Sequence, residues 1–577
     1  MKSLLRYLKD YKKECVLAPL FKMLEAIFEL LVPLVMAGII DVGIQQKDNP
    51  YILRMCLLMV ALGIIGLICS ITAQFFSAKA AVGFATKVRH ALFAHIQKLS
   101  FSKMDTVGVS TLITRMTSDI NQVQAGVNLV LRLFLRSPFI VFGAMIMAFT
   151  IDVSSAWIFV VTIPVLSLVV FGIMLSGIPL YRKVQNCLDR VTLATRENLT
   201  GVRAIRAFHK ESDEISRFEE ENDALSTMQI FVGKISALMN PITYIIVNVA
   251  TIVLLQTGAI RVEGGLLTQG AVVALVNYMS QILVELVKLA NLIINVTKAW
   301  ACGNRIEAIF EVQTGMEAPA VPHQKEDAAY PYSIEFDHVS MRYDEAGAES
   351  LTDIDFKVKK GQTLGIIGST GSGKTSLVHL IPRYYDVSAG SVRINGVDVR
   401  AYDIDTLRSK VGMVLQKAML FAGSIEDNLR WGKADATNDE IRSALEIAQA
   451  AEVVDKKEGG LSYLIEQEGR NLSGGQRQRL TIARALVRQP EILILDDSAS
   501  ALDYATDARL RKALREHGDN MTVVIVSQRT SSIQHADQIL VLEEGELVGV
   551  GTHEQLLQNC EVYREIHASQ YQSEEAV

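Results

Sequence analysis

The chain has 577 residues, half of them apolar and 21% charged, with a mean hydropathy of +0.25. That is too long for one core, too apolar for a disordered chain and unusual for a wholly soluble one. The net charge of −6 conceals a division: residues 1–311 carry 29 Lys+Arg against 22 Asp+Glu, residues 312–577 carry 28 against 41, and so acidic a second half excludes a nucleic-acid surface.

In chain order, six apolar stretches come first, near 15–40, 52–78, 128–151, 155–178, 241–260 and 270–296. Each is long enough to cross a bilayer core of about 30 Å as a helix, which makes residues 1–311 a membrane domain. The first begins too late and runs too long for a signal peptide and is read as retained. Cys15, Cys56, Cys69, Cys187, Cys302 and Cys560 lack C-x-x-C spacing, so they read as reduced structural thiols, not as a zinc ribbon or disulfide framework.

Charge sets the expected orientation. Basic residues gather at the N-terminus (Lys2, Arg6, Lys9, Lys12, Lys13), between spans two and three (Lys79 to Arg115) and between spans four and five (Arg182 to Arg217). The alternate connections are short and carry only Lys47 and Arg261. By the positive-inside rule both termini are cytoplasmic, and a bacterial plasma membrane is the expected location of this multi-pass chain. The two inside connections lack proline between 79 and 127 and between 180 and 240, so the spans are expected to continue as long helices into the cytosol. Lys22, Glu25 and Glu29 share a face of span one, and Glu285 and Lys288 are three apart in span six. They read either as a polar substrate cavity or as snorkelling and mutually paired charges.

Residues 312–332, with Pro319 and Pro322 and no apolar periodicity, read as a linker to a second domain, 333–577. There Ser333–Val339 and Ser350–Val358 alternate like strands, and Thr363–Gly368 reads as a buried strand. It feeds Gly368-Ser369-Thr370-Gly371-Ser372-Gly373-Lys374-Thr375, followed by Ser376, a complete phosphate-loop pattern between a strand and a helix. The glycines let backbone N–H groups wrap a phosphate, Lys374 reaches its outer oxygens, and Thr375 is placed to ligate Mg²⁺. Glu491–Asp496 is an apolar strand delivering the Asp496 carboxylate beside that site, as a Mg²⁺-water ligand requires. Leu472-Ser473-Gly474-Gly475-Gln476 opens an Arg-bearing helix, a second anion-competent terminus without a phosphate-loop lysine.

This succession, behind six spans, resembles an ATP-binding cassette (ABC) half-transporter of the exporter (type IV) fold. The resemblance implies a membrane all-α six-helix transmembrane domain with long cytoplasmic extensions, fused to an α/β P-loop cassette that uses ATP and Mg²⁺. It assigns Tyr343 to adenine stacking, Gln416 to the glutamine loop that touches Mg²⁺, and Leu472–Gln476 to the signature that caps a partner's nucleotide. Ser500 and Asp503 take the place of the D-loop. The stretches near 107–116 and 207–218 resemble the coupling helices that dock on cassettes.

Two positions depart from the family pattern. The residue after Asp496 is usually Glu, the general base; here it is Asp497, one methylene shorter. The switch position, usually His, is Gln528, which can hydrogen-bond a phosphate but carries no charge and shuttles no proton. Both act on the same γ-phosphate, so ATP is expected to bind well and be cleaved poorly at this chain's own site. That combination resembles the degenerate-site subunit of heterodimeric bacterial ABC multidrug exporters. The expected partner is a second half-transporter with an intact catalytic Glu and switch His, and the expected cargo an amphipathic small molecule. The rivals are a homodimer using Asp497 as a slow base, a type IV-fold importer of a metal chelate, and an ATP-gated channel or regulatory subunit.

Overall fold

In the computed structural model the described residues are 1, 3–315, 329–343, 347–498, 500–517 and 521–571. They form two compact units, residues 1–97 with 110–312 and residues 98–109 with 313–577. Lys2 and most of the expected linker, residues 316–328, lie outside the described residues.

The first unit contains six long apolar helices, Leu4–Ile44, Asn49–Ile96, Val109–Ile151, Val153–Ala207, Glu211–Glu263 and Gln269–Glu311. The fourth, with 55 residues, is about 80 Å long at 1.5 Å per residue, far more than the roughly 30 Å of hydrocarbon. The extension past the apolar windows follows from the proline-free, helix-favouring connections read in the sequence. Side-chain caps end the short turns at the other ends. The Asp48 carboxylate accepts from the Tyr51 amide at 3.0 Å, Asp152 from the Ser155 amide at 2.8 Å, and Thr268 Oγ1 from the Ala271 amide at 3.3 Å. Each satisfies an orphan N–H where a span begins. Pro19 and Pro33 in span one, and Pro164 and Pro179 in span four, sit inside continuous helix, as membrane helices tolerate.

The sixth span is the most enclosed, and Leu275, Tyr278, Met279 and Ile282 on it pack against Ile140, Ala144, Phe159 and Leu254 of other spans. Tyr278 donates its hydroxyl to the Leu30 carbonyl at 2.6 Å. The charges form one connected network. Arg136 donates to Glu29 at 2.6 Å and to Glu285 at 2.8 Å. Glu285 also accepts from Ser137 Oγ and Lys288 Nζ, both at 2.8 Å. Lys22 donates to Glu25 at 2.6 Å and to Ser70 Oγ at 3.0 Å. The Glu285–Lys288 pair is therefore present, but the buried hub is Arg136, which the sequence reading did not single out.

The second unit is built on two sheets. β1 (Tyr332–Met341), β2 (Leu351–Lys359), β4 (Ala389–Ile394) and β5 (Val397–Asp398) form an antiparallel sheet in the order β2–β1–β4–β5. β3 (Thr363–Gly368), β6 (Val411–Val414), β9 (Ile492–Asp496), β10 (Thr522–Val526), β11 (Gln538–Glu543) and β12 (Glu546–Gly551) form the larger one, ordered β12–β11–β3–β10–β9–β6. Its pairings are parallel except β11 with β12. β7 (Gly423–Ser424) and β8 (Leu464–Ile465) make a small separate ladder.

The strands of the larger sheet are apolar on both faces because both faces are covered. Leu364, Ile366, Ile494, Val524 and Leu540 face the antiparallel sheet, where Phe336 stacks on Phe356. Ile367, Leu493, Leu495, Ile525 and Ile539 point the other way, into a core with Leu480, Ile482 and Leu486 of the helix Gly474–Val487. The short helix Phe101–Val107 belongs to this unit. Phe101 packs on Tyr384 with centroids 4.6 Å apart, and Tyr385 donates its hydroxyl to Asp105 at 2.7 Å. The cassette-bound helix in this connection is thus 101–107, upstream of the 107–116 stretch suggested by resemblance.

Candidate functional site

The central strand β3 delivers the loop. After Gly368 the chain turns through Gly371 (φ +88°) and Gly373 (φ +92°) into the helix Lys374–Leu380. Those left-handed conformations favour glycine. A Cβ at residue 373 would also lie 2.8 Å from the Ser350 carbonyl oxygen. Lys374 folds back so that Nζ donates to the Gly368 carbonyl at 2.9 Å and the Ser369 carbonyl at 2.6 Å, enclosing the loop backbone. Burial lowers its pKa, while Asp497 and Asp496 pull it up.

β9 runs parallel to β10 with Asp496 beside Val526. This register brings the buried Asp496 carboxylate to the loop, where Thr375 Oγ1 donates to it at 3.2 Å. Next in the chain, Asp497 has a positive φ of +45° and donates its amide to the Val526 carbonyl at 3.0 Å. Its Oδ2 accepts from Gln416 Nε2 at 3.3 Å, just beyond the end of β6. Burial pushes both carboxyls above the ordinary range; Asp497 nearby adds to the shift of Asp496. Gln528 follows β10.

These residues line one cleft of about 750 Å³, together with Tyr343, Thr370, Gly371, Gly373, Ser376 and the β11–β12 turn residues Glu544 and Gly545. The Tyr343 hydroxyl lies 2.9 Å from Ser376 Oγ, and its ring meets Tyr385 edge-on at 5.1 Å. Tyr385, Asp105, Glu544 and Gly545 were not found from sequence. Asp105, Glu544 and Gly545 lie far along the chain from the phosphate loop, Tyr385 lies shortly past the helix that follows it, and none carries a motif.

Thr375 and Asp496 fit a Mg²⁺ ion: a hydroxyl and a buried carboxylate adjoin at the phosphate loop, with the half-buried carboxylate of Asp497 next in the chain. Bound there, Mg²⁺ supplies neutralisation of phosphate charge. The chain's own residues supply the loop amides, the Lys374 ammonium and a carboxylate at residue 497 within reach of the same cleft.

None of Leu472–Gln476 lines that cleft. Ser473 and Gln476 instead form a reciprocal capping box: Gln476 N–H donates to Ser473 Oγ at 3.3 Å and Ser473 N–H to Gln476 Oε1 at 3.1 Å. A Cβ at Gly475 would sit 3.1 Å from the Ala501 carbonyl oxygen, so the signature helix starts against the D-loop. In that loop Ser500 Oγ donates to the Asp497 carbonyl at 2.8 Å, and Asp503 caps the helix Tyr504–His517 by accepting from the Thr506 amide at 2.9 Å.

A mainly parallel sheet carrying a phosphate loop and an acidic strand end, behind six apolar helices, defines a membrane transporter with its own ATPase domain. Comparison with known families agrees. Residues 15–286 match the ABC transporter transmembrane region and residues 351–500 the ABC transporter domain. An uncharacterized ABC transporter ATP-binding protein, YfiB of Bacillus subtilis (strain 168), is 35% identical over 571 residues, covering 99% of each chain. The probable multidrug resistance ABC transporter ATP-binding/permease protein YheI of the same organism is 32% identical, covering 84% of this chain and 82% of its own. The structure of a bacterial Atm1-family ABC exporter with ATP bound superposes with a TM-score of 0.80 at 22% identity, covering 97% and 98%. The chain belongs to the ABC transporter family: it is an ATP-hydrolysing transporter with an exporter-type membrane region fused to an ABC ATPase domain.

Proposed function

We propose that the chain is one half of a heterodimeric exporter that moves amphipathic small molecules out through the plasma membrane, with both termini in the cytoplasm. ATP and Mg²⁺ bind at Tyr343, the 368–376 loop, Gln416 and Asp496. Closure of two cassettes on ATP, transmitted through the long helices, turns the membrane cavity outward. The signature Leu472–Gln476 completes the partner's nucleotide site, where a Glu and a His perform hydrolysis, while this chain's site turns over slowly. The multidrug name of the YheI relative supports the cargo class, and the basic inner connections support the orientation.

The observation that carries the reading is that Asp497 and Gln528 line the same cleft as Lys374 and Asp496. The two departures from the family pattern thus address one phosphate. Asp497 keeps the charge of a general base but ends about 1.5 Å short, and a misplacement of about 1 Å can lower a rate on the order of 100-fold. Asp497→Glu in the assembled complex is expected to raise substrate-stimulated ATP turnover several-fold, read as kcat with KM unchanged. Unchanged kcat would remove Asp497 as the weak point and favour a homodimer in which it is already an adequate base.

A further inference from the structure

Beyond Gln528 the switch segment is gripped from outside the cleft by the helix Glu561–Tyr571. Gln570 Nε2 donates to the Gln528 backbone carbonyl at 2.7 Å. The Oε1 of the same amide accepts from the Thr530 N–H at 2.9 Å and from Thr530 Oγ1 at 3.0 Å. One side-chain amide therefore pairs with the carbonyl of one residue and the N–H two residues on, as a neighbouring strand would. Thr530 is fully buried, so its two bonds to Gln570 are partly shielded from competing water, while the bond to the Gln528 carbonyl is exposed.

The gripping helix is itself anchored. Tyr563 is fully buried and its hydroxyl lies 2.7 Å from His553 Nδ1. The His567 ring packs 5.3 Å from His553, and its Nδ1 lies 3.2 Å from Thr530 Oγ1. No residue of this helix lines the nucleotide cleft. At the other end of the segment, the Ser527 amide donates to the Ile366 carbonyl at 3.0 Å and the Arg529 amide to Ser527 Oγ at 2.9 Å. The backbone around Gln528 is thus fixed between the strand that launches the phosphate loop and the amide of residue 570.

We propose that Gln570 is a positioning residue for the nucleotide switch. By fixing the 528–530 backbone it sets the direction in which the Gln528 side chain enters the cleft, and with it the chain's preference for a nucleoside triphosphate over a diphosphate. This rests on Gln528 being the group that meets the γ-phosphate. The chemistry requires a primary amide, which donates and accepts at once. A glutamate of the same shape still accepts from Thr530 but cannot donate to the Gln528 carbonyl, and it sets a carboxylate oxygen against that oxygen.

The test uses the full chain in lipid nanodiscs, with ATPγS and ADP each displacing a fluorescent nucleotide, so that no turnover is needed. Gln570→Glu is expected to leave ADP affinity unchanged and to lower the ATPγS-over-ADP preference about five-fold or more. In a Gln528→Ala background the same substitution is expected to add nothing, since both act through one side chain. If Gln528→Ala lowers the preference and Gln570→Glu does not, the proposal is overturned. An equal fall for both nucleotides with a lower thermal midpoint also overturns it, because the contact is then only structural. If Gln528→Ala itself leaves the preference intact, the switch reading fails first and the proposal with it. Gln570→Asn, one methylene too short to span both partners, is expected to lower the preference similarly and decides the matter should the glutamate variant fold poorly.

Discussion

Asp496 is buried and the adjacent Asp497 half-buried, and burial pushes both carboxyls above the ordinary range. The folded, nucleotide-free chain therefore holds their protons more tightly than the unfolded chain does. The resulting stabilisation is full below the ordinary carboxylate range and is lost as pH rises through the raised values. The thermal midpoint of the nucleotide-free protein should accordingly fall across that window, and Asp496→Asn should flatten the fall, as scanning fluorimetry against pH would show. A slope identical in the variant would mean that Asp496 titrates as an ordinary surface group. Much of this was legible in the sequence, because a phosphate loop and an acidic strand end are local patterns. The contact between Gln416 and Asp497 was not, since it depends on β6 and β9 lying side by side, 81 residues apart in sequence.

Among the elements, spans one, three and six are tied by a single guanidinium. Arg136 is 7% exposed and donates to Glu29 and Glu285. Removing one partner of a buried ion pair leaves uncompensated charge and typically costs about 3 to 5 kcal/mol, and no water in the bilayer core relieves it. Arg136→Met should therefore lower the thermal midpoint in nanodiscs markedly, and adding Glu285→Gln should restore part of the loss. A midpoint unmoved by Arg136→Met would show that the guanidinium adds nothing to the other contacts that hold the three helices. In the cassette unit the helix Phe101–Val107 meets Tyr385, and Tyr385 meets Tyr343. A residue from the connection between spans two and three, Asp105, thus lies one hydrogen bond and one aromatic contact from the expected adenine-stacking ring. Burial and the Asp105 carboxylate hold the Tyr385 hydroxyl protonated, with its pKa raised, so that link persists at any physiological pH.

For the whole molecule, the uneven charge of the two halves fits one chain in two surroundings: a membrane domain with basic connections and an acidic cassette. The decisive measurement at this scale is ATP hydrolysis by the chain purified alone in lipid nanodiscs, beside the chain co-expressed with the product of its neighbouring gene. Activity confined to the co-expressed sample is the expected outcome and places the working site on the partner's Walker motifs. Strong activity alone would mean that Asp497 and Gln528 suffice, and the chain would then be read as a homodimer.

The sequence by itself determined the six apolar helices, the P-loop cassette and the composition of the phosphate site, because hydropathy runs and short glycine-bearing motifs act within a few residues of chain. Tertiary structure alone decided that Arg136 is the hub of the membrane charges, that helix 101–107 belongs with the cassette, and that Gln570 holds the switch segment. Each depends on side chains brought together from distant segments. A lone Arg, Asp or Gln has no local pattern, and its partners are set by the register of strands and the packing of helices.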